Sequence, residues 1–293
     1  MEKILTVFTP TYNRAYILPK CYESLTKQTC KEFVWVIIDD GSTDDTAELV
    51  KKWIEEDKIE IRYYYQDNKG MHGAHNKAYE VIDTELNVCI DSDDYMTDDA
   101  VEIIVDYWKN NKKDEYCGFG ALNIFKNGKV IGTEFPEGLK ESKYFDIYKK
   151  YKIKGDKKFI YRTELIRENP YPIFRGEKYV GLDYKYMKLD EKYCLGLLNK
   201  PVCVVKYLAD GSSLNMFRQY RRNPRGFCFY RIENMKNPRG NLLYKFKESI
   251  HYVASSIWCR NKKFLKDTPC KFLCICAIPF GYMLYKYTEI KTR

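Results

Sequence analysis

The first 110 residues repeat one unit, a short apolar run followed by a stretch whose apolar residues recur at helical spacing. Ile4–Phe8, Val34–Ile38, Ile59–Tyr65 and Leu86–Ile90 read as strands. The helical patterns between and after them are Leu18, Cys21 and Leu25, with Pro19 tolerated in the first turn, and Thr46, Val50, Trp53 and Ile54, with Ser42 as N-cap. Ala74, Ala78, Val81 and Ile82 mark a third helix, and Val101, Ile104, Val105 and Trp108 a fourth. Repeated β-α units of this length predict a parallel sheet with right-handed crossovers.

After residue 110 the rhythm changes. Tyr116–Phe125 and Val130–Phe135, joined across Lys126-Asn127-Gly128-Lys129, read as a hairpin. Residues 136–200 mix helix with loops rich in Tyr and Lys, and Pro201–Tyr207 is another apolar strand. From Asn241 the pattern is helical again, through Leu242, Phe246, Ile250, Val253 and Ile257. Phe272–Tyr285 carries no charge but is too short to span a bilayer. It is either a helix packed on the domain or an amphipathic anchor at a membrane interface, with Lys262, Lys263, Lys266 and Lys271 facing headgroups.

Two acidic clusters, Asp39-Asp40-Gly41-Ser42 and Asp91-Ser92-Asp93-Asp94, each follow an apolar strand. Ligands of open α/β sheets bind outside the carboxyl ends of the strands. Carboxylates there suit a hard cation such as Mg²⁺ or Mn²⁺, which shares oxygen ligands with substrate phosphates. A third turn, Thr9-Pro10-Thr11-Tyr12-Asn13-Arg14, offers a ring to stack on a base and a guanidinium for phosphate. Taken singly, each is also an ordinary turn or helix start. Three at the strand ends of one sheet point to a shared site.

Thr9–Arg14, Asp39–Thr43, Asn68-Lys69-Gly70 with His75-Asn76-Lys77, and Asp91–Asp94 together resemble the family 2 glycosyltransferases. The close resemblance covers about residues 1–110, with weaker similarity through Asp183 and Asp210-Gly211-Ser212. It implies an inverting enzyme of α/β, GT-A fold. This is a Rossmann-like nucleotide-binding sheet with a mixed C-terminal acceptor part and C-terminal helices. The expected organisation is a nucleotide-sugar-binding half over 1–115, an acceptor-binding and catalytic half over 116–235, and a basic, apolar helical segment over 236–293.

The resemblance also implies roles. Pro10 and Tyr12 would line the base pocket, and Arg14 would reach phosphate. Asp39 would accept a hydrogen bond from the uracil N–H, and Asp40 would support the base and ribose side. Asn68 and Gly70 would bring backbone close to the nucleotide. Asp91 and Asp93 form the DxD pair, one holding the ribose or sugar side and the other ligating Mn²⁺ or Mg²⁺ on the diphosphate. Asp94 is a second ligand or the cap of the following helix. An acceptor hydroxyl needs a general base, worth about 10²–10⁴-fold. Asp183 is the candidate, although Leu182 stands where related enzymes often carry Glu. Glu177 or Asp190 is the fallback, and a helix N-cap is the structural alternative. His72 and His75 read as structural or hydrogen-bonding groups near the nucleotide. Arg218, Arg221, Arg222 and Arg225, just after Asp210–Ser213, would close over a diphosphate, bind a lipid-linked phosphate, or simply face solvent.

Charge adds a direction. Residues 218–293 carry 17 Lys/Arg and 4 Asp/Glu, against a chain total of +9. A basic C-terminal quarter on a mildly acidic body implies an anionic partner. Eleven cysteines with irregular spacing and no zinc pattern read as buried small hydrophobes. With Met1-Glu2-Lys3 running straight into a strand, the expected location is the cytoplasm, peripheral at the inner face of the cell membrane. The expected partners are a nucleotide-sugar donor, a glycan or lipid-linked acceptor and the membrane surface. Nucleic acid fits the basic tail but not an acidic crevice. The competing readings are a sugar-1-phosphate nucleotidyltransferase, disfavoured by the absence of glycine in Thr9–Arg14, and a non-catalytic nucleotide-binding membrane-surface protein.

Overall fold

The computed structural model describes residues 3–206 and 215–292. The chain forms two compact units. One comprises residues 1–170 and 188–207, the other residues 171–187 and 208–293.

The first unit is built on a nine-stranded mixed sheet. Up to the last strand the elements of the chain run β1 (Leu5–Thr11), α1 (Leu18–Thr26), β2 (Phe33–Asp39), α2 (Thr46–Glu56), β3 (Ile61–Tyr65), α3 (Gly70–Val81), β4 (Leu86–Cys89), β5 (Tyr95–Met96), α4 (Ala100–Asn111), β6 (Tyr116–Ile124), β7 (Glu141–Ser142), α5 (Tyr144–Lys149), β8 (Lys157–Arg162), α6 (Thr163–Ile166), α7 (Asp183–Leu189) and β9 (Cys194–Val204). The chain passes through the second unit before β9 and re-enters the first within α7. The strand order is β3-β2-β1-β4-β8-β6-β9-β5, with β7 pairing β9. β1, β2, β3 and β4 are mutually parallel neighbours, and β8 runs antiparallel to both β4 and β6.

All seven residues of β2 are buried, as a strand covered on both faces requires. The edge strand β3 is only half-buried, and Arg62 on it is tied to Glu60 and Asp83 at 2.8 Å each. Beneath the sheet Tyr22, Trp35 and Trp53 stack, Tyr22 and Trp53 at 4.4 Å. The Trp35 indole donates to Thr9 Oγ1 at 3.0 Å, so the ring's polar edge is satisfied inside the core. Val101, Ile104, Val105 and Trp108 form the buried face of α4 as their spacing predicts.

Three local expectations need correction. Ile54 is exposed, because α2 buries only the face of Thr46, Val50 and Trp53. Ser42 does not cap α2, which begins after Asp45, with the Asp44 carboxylate receiving the Thr46 N–H at 3.2 Å. The hairpin lacks its second strand. Phe125 N donates to Lys129 O across the expected turn, but the chain then keeps a single bridge, Ile124 to Val130. β6 takes its partners from β8 and β9 instead, which buries eight of its nine residues. The end of the expected strand at Tyr207 lies outside the described residues.

The second unit is helical, with α8 (Met216–Arg222), α9 (Pro224–Lys236), α10 (Leu242–Trp258), α11 (Phe264–Asp267) and α12 (Lys271–Lys291). Asn241 caps α10 by accepting the Tyr244 N–H at 2.9 Å. The face α10 buries keeps Val253 of the expected apolar pattern, while Phe246, Ile250 and Ile257 are half-buried. That face is Ser249, Tyr252, Val253, Ala254, Ser255 and Ser256, and Leu242 is exposed. Glu248 on that face accepts from Arg231 at 2.8 Å and Asn234 at 3.1 Å, so the small polar side allows close packing without an orphaned charge.

Candidate active site

β1 lies between β2 and β4, and all three run in the same direction. Their C-terminal ends therefore open at one edge of the sheet. Thr11 is level with Asp39, and Phe8 is level with Cys89, two residues before Asp91. The two acidic clusters thus flank the Thr9–Arg14 turn, separated by two interstrand spacings, roughly 10 Å.

The turn after β1 and the turn after β2 are laced together. Asn13, in the left-handed region at φ 51°, donates its N–H to Ser42 Oγ at 2.9 Å. Its side chain accepts the Thr43 N–H at 2.8 Å. Ala15 N–H reaches Asp44 at 3.0 Å. Ser42 is thus committed to this lacing, which explains why it does not cap α2. Tyr12 is half exposed, at 49%. Pro10 is half-buried beside it. Arg14 donates to the Tyr16 hydroxyl at 2.5 Å.

Asp39 and Asp40 are both buried. Asp39 accepts the Ser42 N–H at 2.7 Å on one oxygen and the Tyr63 hydroxyl at 2.5 Å on the other. Burial and then this carboxylate push the Tyr63 phenol well above its ordinary range, so it stays a donor. Asp40 accepts Gln66 Nε2 at 2.6 Å, Lys69 N–H at 2.8 Å and Gly70 N–H at 2.7 Å. It therefore clamps the Asn68 loop, and the Gly70 N–H is engaged by Asp40. The loops also touch at Gly41, where φ is +88° and a Cβ would lie 3.0 Å from the Asn68 nitrogen. Only glycine meets both conditions without strain.

Asp91 and Asp93 are half-buried at the other side of the β1 turn. Asp94 is different. It is buried, accepts the Lys206 N–H at 3.0 Å and lies 3.9 Å from Lys158 Nζ. Burial pushes its carboxyl up, the charges of Asp91 and Asp93 push the same way, and Lys158 opposes them. Asp94 does not cap the following helix, since α4 begins only after Asp99. Lys158 also donates to Cys89 O at 3.1 Å. Burial disfavours its charge, but the surrounding acidic groups outweigh burial and raise its pKa. His75 is buried between Phe8, the Tyr79 hydroxyl at 3.2 Å and Cys89 Sγ at 3.6 Å, and His72 is buried on the same helix. Among the described residues no three His, Cys, Asp or Glu side chains come together as a metal cage. Asp91 and Asp93 are nevertheless the hard oxygen donors that Mg²⁺ or Mn²⁺ takes, alongside phosphate and water.

In the second unit Asp183 opens α7, half-buried, with the Tyr230 hydroxyl donating to Oδ2 at 2.5 Å. Burial raises its pKa from the ordinary value, against the pull of Tyr230 and Arg231. The two fallback carboxylates are occupied elsewhere. Glu177 accepts Arg225 N–H at 3.0 Å and Gly226 N–H at 2.8 Å, holding the first turn of α9. Asp190, in the first unit, accepts the Tyr144 and Phe145 N–H groups at 2.6 Å each, holding the first turn of α5. Two of the four clustered arginines are also committed. Arg225 pairs with Glu177 at 2.9 Å and Arg221 with Glu289 at 3.2 Å, and all four are exposed. Asp210-Gly211-Ser212-Ser213 lies outside the described residues. Sequence reasoning missed Lys158, Tyr63 and Gln66, since each reaches an acidic cluster only through strand pairing or a loop crossing.

A family model described as glycosyl transferase family 2 matches residues 6–169. The chain is 31% identical over 137 residues to the glycosyltransferase GlyA of Streptococcus pneumoniae serotype 4, across 45% of this chain and 20% of that protein. It is 32% identical over 132 residues to the chondroitin synthase of Escherichia coli, across 45% of this chain and 19% of that one. It thus spans about a fifth of the length of these relatives. Among solved structures, S. aureus TarS 1–349 in complex with UDP-GlcNAc superposes with a TM-score of 0.62 at 20% identity, over 99% of this chain and 91% of that one. The mannosyltransferase PcManGT from Pyrobaculum calidifontis, in complex with GDP-Man and Mn2+, superposes with a TM-score of 0.56 at 17% identity, over 99% and 76% of the two chains. The architecture is the α/β GT-A fold.

Proposed function

Because the chain belongs to glycosyl transferase family 2, we propose that it moves a sugar from a nucleotide-sugar, UDP-linked, to a glycan or lipid-linked acceptor during assembly of a bacterial surface polysaccharide. One observation carries this reading. Two aspartate clusters flank a turn bearing Tyr12 and Arg14 at the open C-terminal ends of three adjacent parallel strands. On this reading Tyr12 and Pro10 border the base, Asp39 accepts from the base N–H, and Arg14 meets phosphate. Asp40 supports the base side through the Asn68–Gly70 loop that it clamps.

Asp91 and Asp93 would hold Mn²⁺ or Mg²⁺, which supplies countercharge for the diphosphate. The chain's own part in the reaction is proton removal and placement. Asp183 takes the proton of the acceptor hydroxyl. That oxygen forms its bond to the anomeric carbon on the face opposite the diphosphate. The bond from carbon to diphosphate oxygen breaks, the electron pair leaves with the nucleoside diphosphate, and the anomeric configuration inverts. A raised pKa makes Asp183 a better base than an ordinary Asp, and Glu177 and Asp190 are already committed to helix starts. A nucleotidyltransferase would need a glycine-rich phosphate loop after the first strand, and Thr9–Arg14 has no glycine.

The test is calorimetric titration of the full chain with UDP, UDP-sugars and GDP-mannose, with and without Mn²⁺. Metal-dependent binding of UDP is the expected result. Absence of binding by every nucleotide overturns the reading, and preference for GDP-mannose overturns its UDP component.

A further inference from the structure

Helix α12 is built inside out. The residues it buries are small, Cys274, Ala277, Gly281 and Thr288. Its large apolar residues point to solvent, including Phe272 at 75% exposure and Met283 at 66%, with Ile275, Ile278 and Phe280 between them. Small residues on the inner face let α12 approach α10 closely, and a Cβ at position 281 would lie 2.6 Å from Val253 Cβ. A helix that only packs on its domain turns its large apolar side chains inward. Here the close packing is done by small ones, and the apolar bulk is presented outward, a pattern that marks an interaction surface.

The surface extends to α10. Phe246 meets Phe280 at 5.8 Å, Gly281 lies on Val253, and Trp258 donates to Glu289 at 2.9 Å, so the two helices run side by side in the same direction. Leu242 and Leu243, the latter 76% exposed, therefore stand at the same end of the pair as Phe272.

Charge identifies the occupant. Phe272–Tyr285 contains no charged residue. Lys271 and Lys286 bracket it, Lys291 follows, and Lys262, Lys263 and Lys266 precede it, all exposed. Of the two acids in residues 260–292, Asp267 and Glu289, the second is drawn to Trp258 and Arg221. No described helix is long and apolar enough to cross a membrane. We propose that α12, with Leu242 and Leu243, lies in the headgroup region of an anionic lipid bilayer, apolar residues inserted and lysines on the phosphates. The inference stands apart from the catalytic reading.

The experiment is co-sedimentation of the full chain with phosphatidylcholine vesicles made with and without phosphatidylglycerol. The expected result is binding that needs phosphatidylglycerol and weakens as salt is raised. A Phe272→Ser, Ile275→Ser, Met283→Ser variant should lose about tenfold or more in partitioning, while keeping its circular dichroism and its nucleotide titration. Lys262→Glu with Lys263→Glu and Lys266→Glu should weaken binding with no change in helicity. Failure to bind either vesicle, or unchanged binding by the serine variant, overturns the proposal. So does a wild-type dimer in analytical ultracentrifugation that the serine variant abolishes without vesicle binding, because the face would then join two copies. Nucleotide titration of the same samples separates these failures from failure of the transferase reading.

Discussion

The Asp39–Asp40 pair and the Asp91–Asp93 pair share a residue type and a place at strand ends, yet their surroundings differ. Asp39 and Asp40 are buried and take five hydrogen bonds from loop amides, Gln66 and Tyr63. Asp91 and Asp93 are half-buried, and the buried member of their cluster, Asp94, is the one countered by Lys158. Both members of the first pair shape loops, and on the proposed reading Asp39 keeps room to accept from the base N–H as well. The second pair is the less buried of the two, and on the proposed reading it is the pair that meets the cation. A carboxylate at a strand end can build a site as well as act in one, and burial is what separates the two pairs.

The largest expected effect breaks the second pair. Asp93→Asn should lower transfer by at least about 10³-fold, since metal countercharge is worth several kcal/mol. Its unfolding free energy should fall by less than that of Asp40→Asn, since Asp93 is half-buried and Asp40 is buried. Assays with Mn²⁺ and urea unfolding check both halves, and full activity would remove Asp93 from the metal role. Next is Asp183→Asn, expected to cost about 10²–10⁴-fold in turnover. Its affinity for UDP should not change, which titration tests, and retained turnover would return the base assignment to an open question. The acid limb of kcat/KM should also move. Because the folded pKa of Asp183 is raised, its base form is lost at a higher pH than for an ordinary Asp as pH falls. A pH–rate profile whose acid limb lies at or below that of an ordinary Asp would contradict this.

These contrasts were only partly legible in the sequence. The parallel sheet was, because β2 is an almost continuous apolar run, β1 is apolar apart from its threonines and Pro10, and the α4 face has strict helical spacing. So were the acidic turns, because each directly follows such a run. The division of labour within them was not, because the partners of Asp39 and Asp40 come from Tyr63, Gln66 and Lys69, across a β-α crossover. Lys158 was invisible for the same reason, since β8 inserts antiparallel beside β4 from about seventy residues away. The absent second hairpin strand shows the converse, local pattern overruled by a better partner for β6. The α12 run was legible as apolar, but only the packing of Gly281 on Val253 reveals which face is turned outward.

The first pair is broken with a smaller and different effect. Asp40→Asn keeps the shape but turns an acceptor into a donor facing amide N–H groups of Lys69 or Gly70. One buried donor is then left unmet, at about 1–3 kcal/mol. Urea unfolding should shift to lower midpoint, and UDP affinity should fall along with loop order, whereas Asp93→Asn should lose activity with a smaller shift of its midpoint. The smallest and most local effect is Gly41→Ala. Its φ of +88° is disfavoured for a residue with a Cβ, and that Cβ would sit 3.0 Å from the Asn68 nitrogen. A penalty of about 1–2 kcal/mol is expected in unfolding. Part of the strain can be relieved by moving the Asn68 loop, so nucleotide affinity should weaken even where the fold survives. If Gly41→Ala loses stability but binds UDP normally, the Asn68 loop is scaffolding alone. If it loses both, the loop clamped by Asp40 belongs to the donor pocket, and the contrast between the pairs becomes one of indirect against direct contact with the ligand.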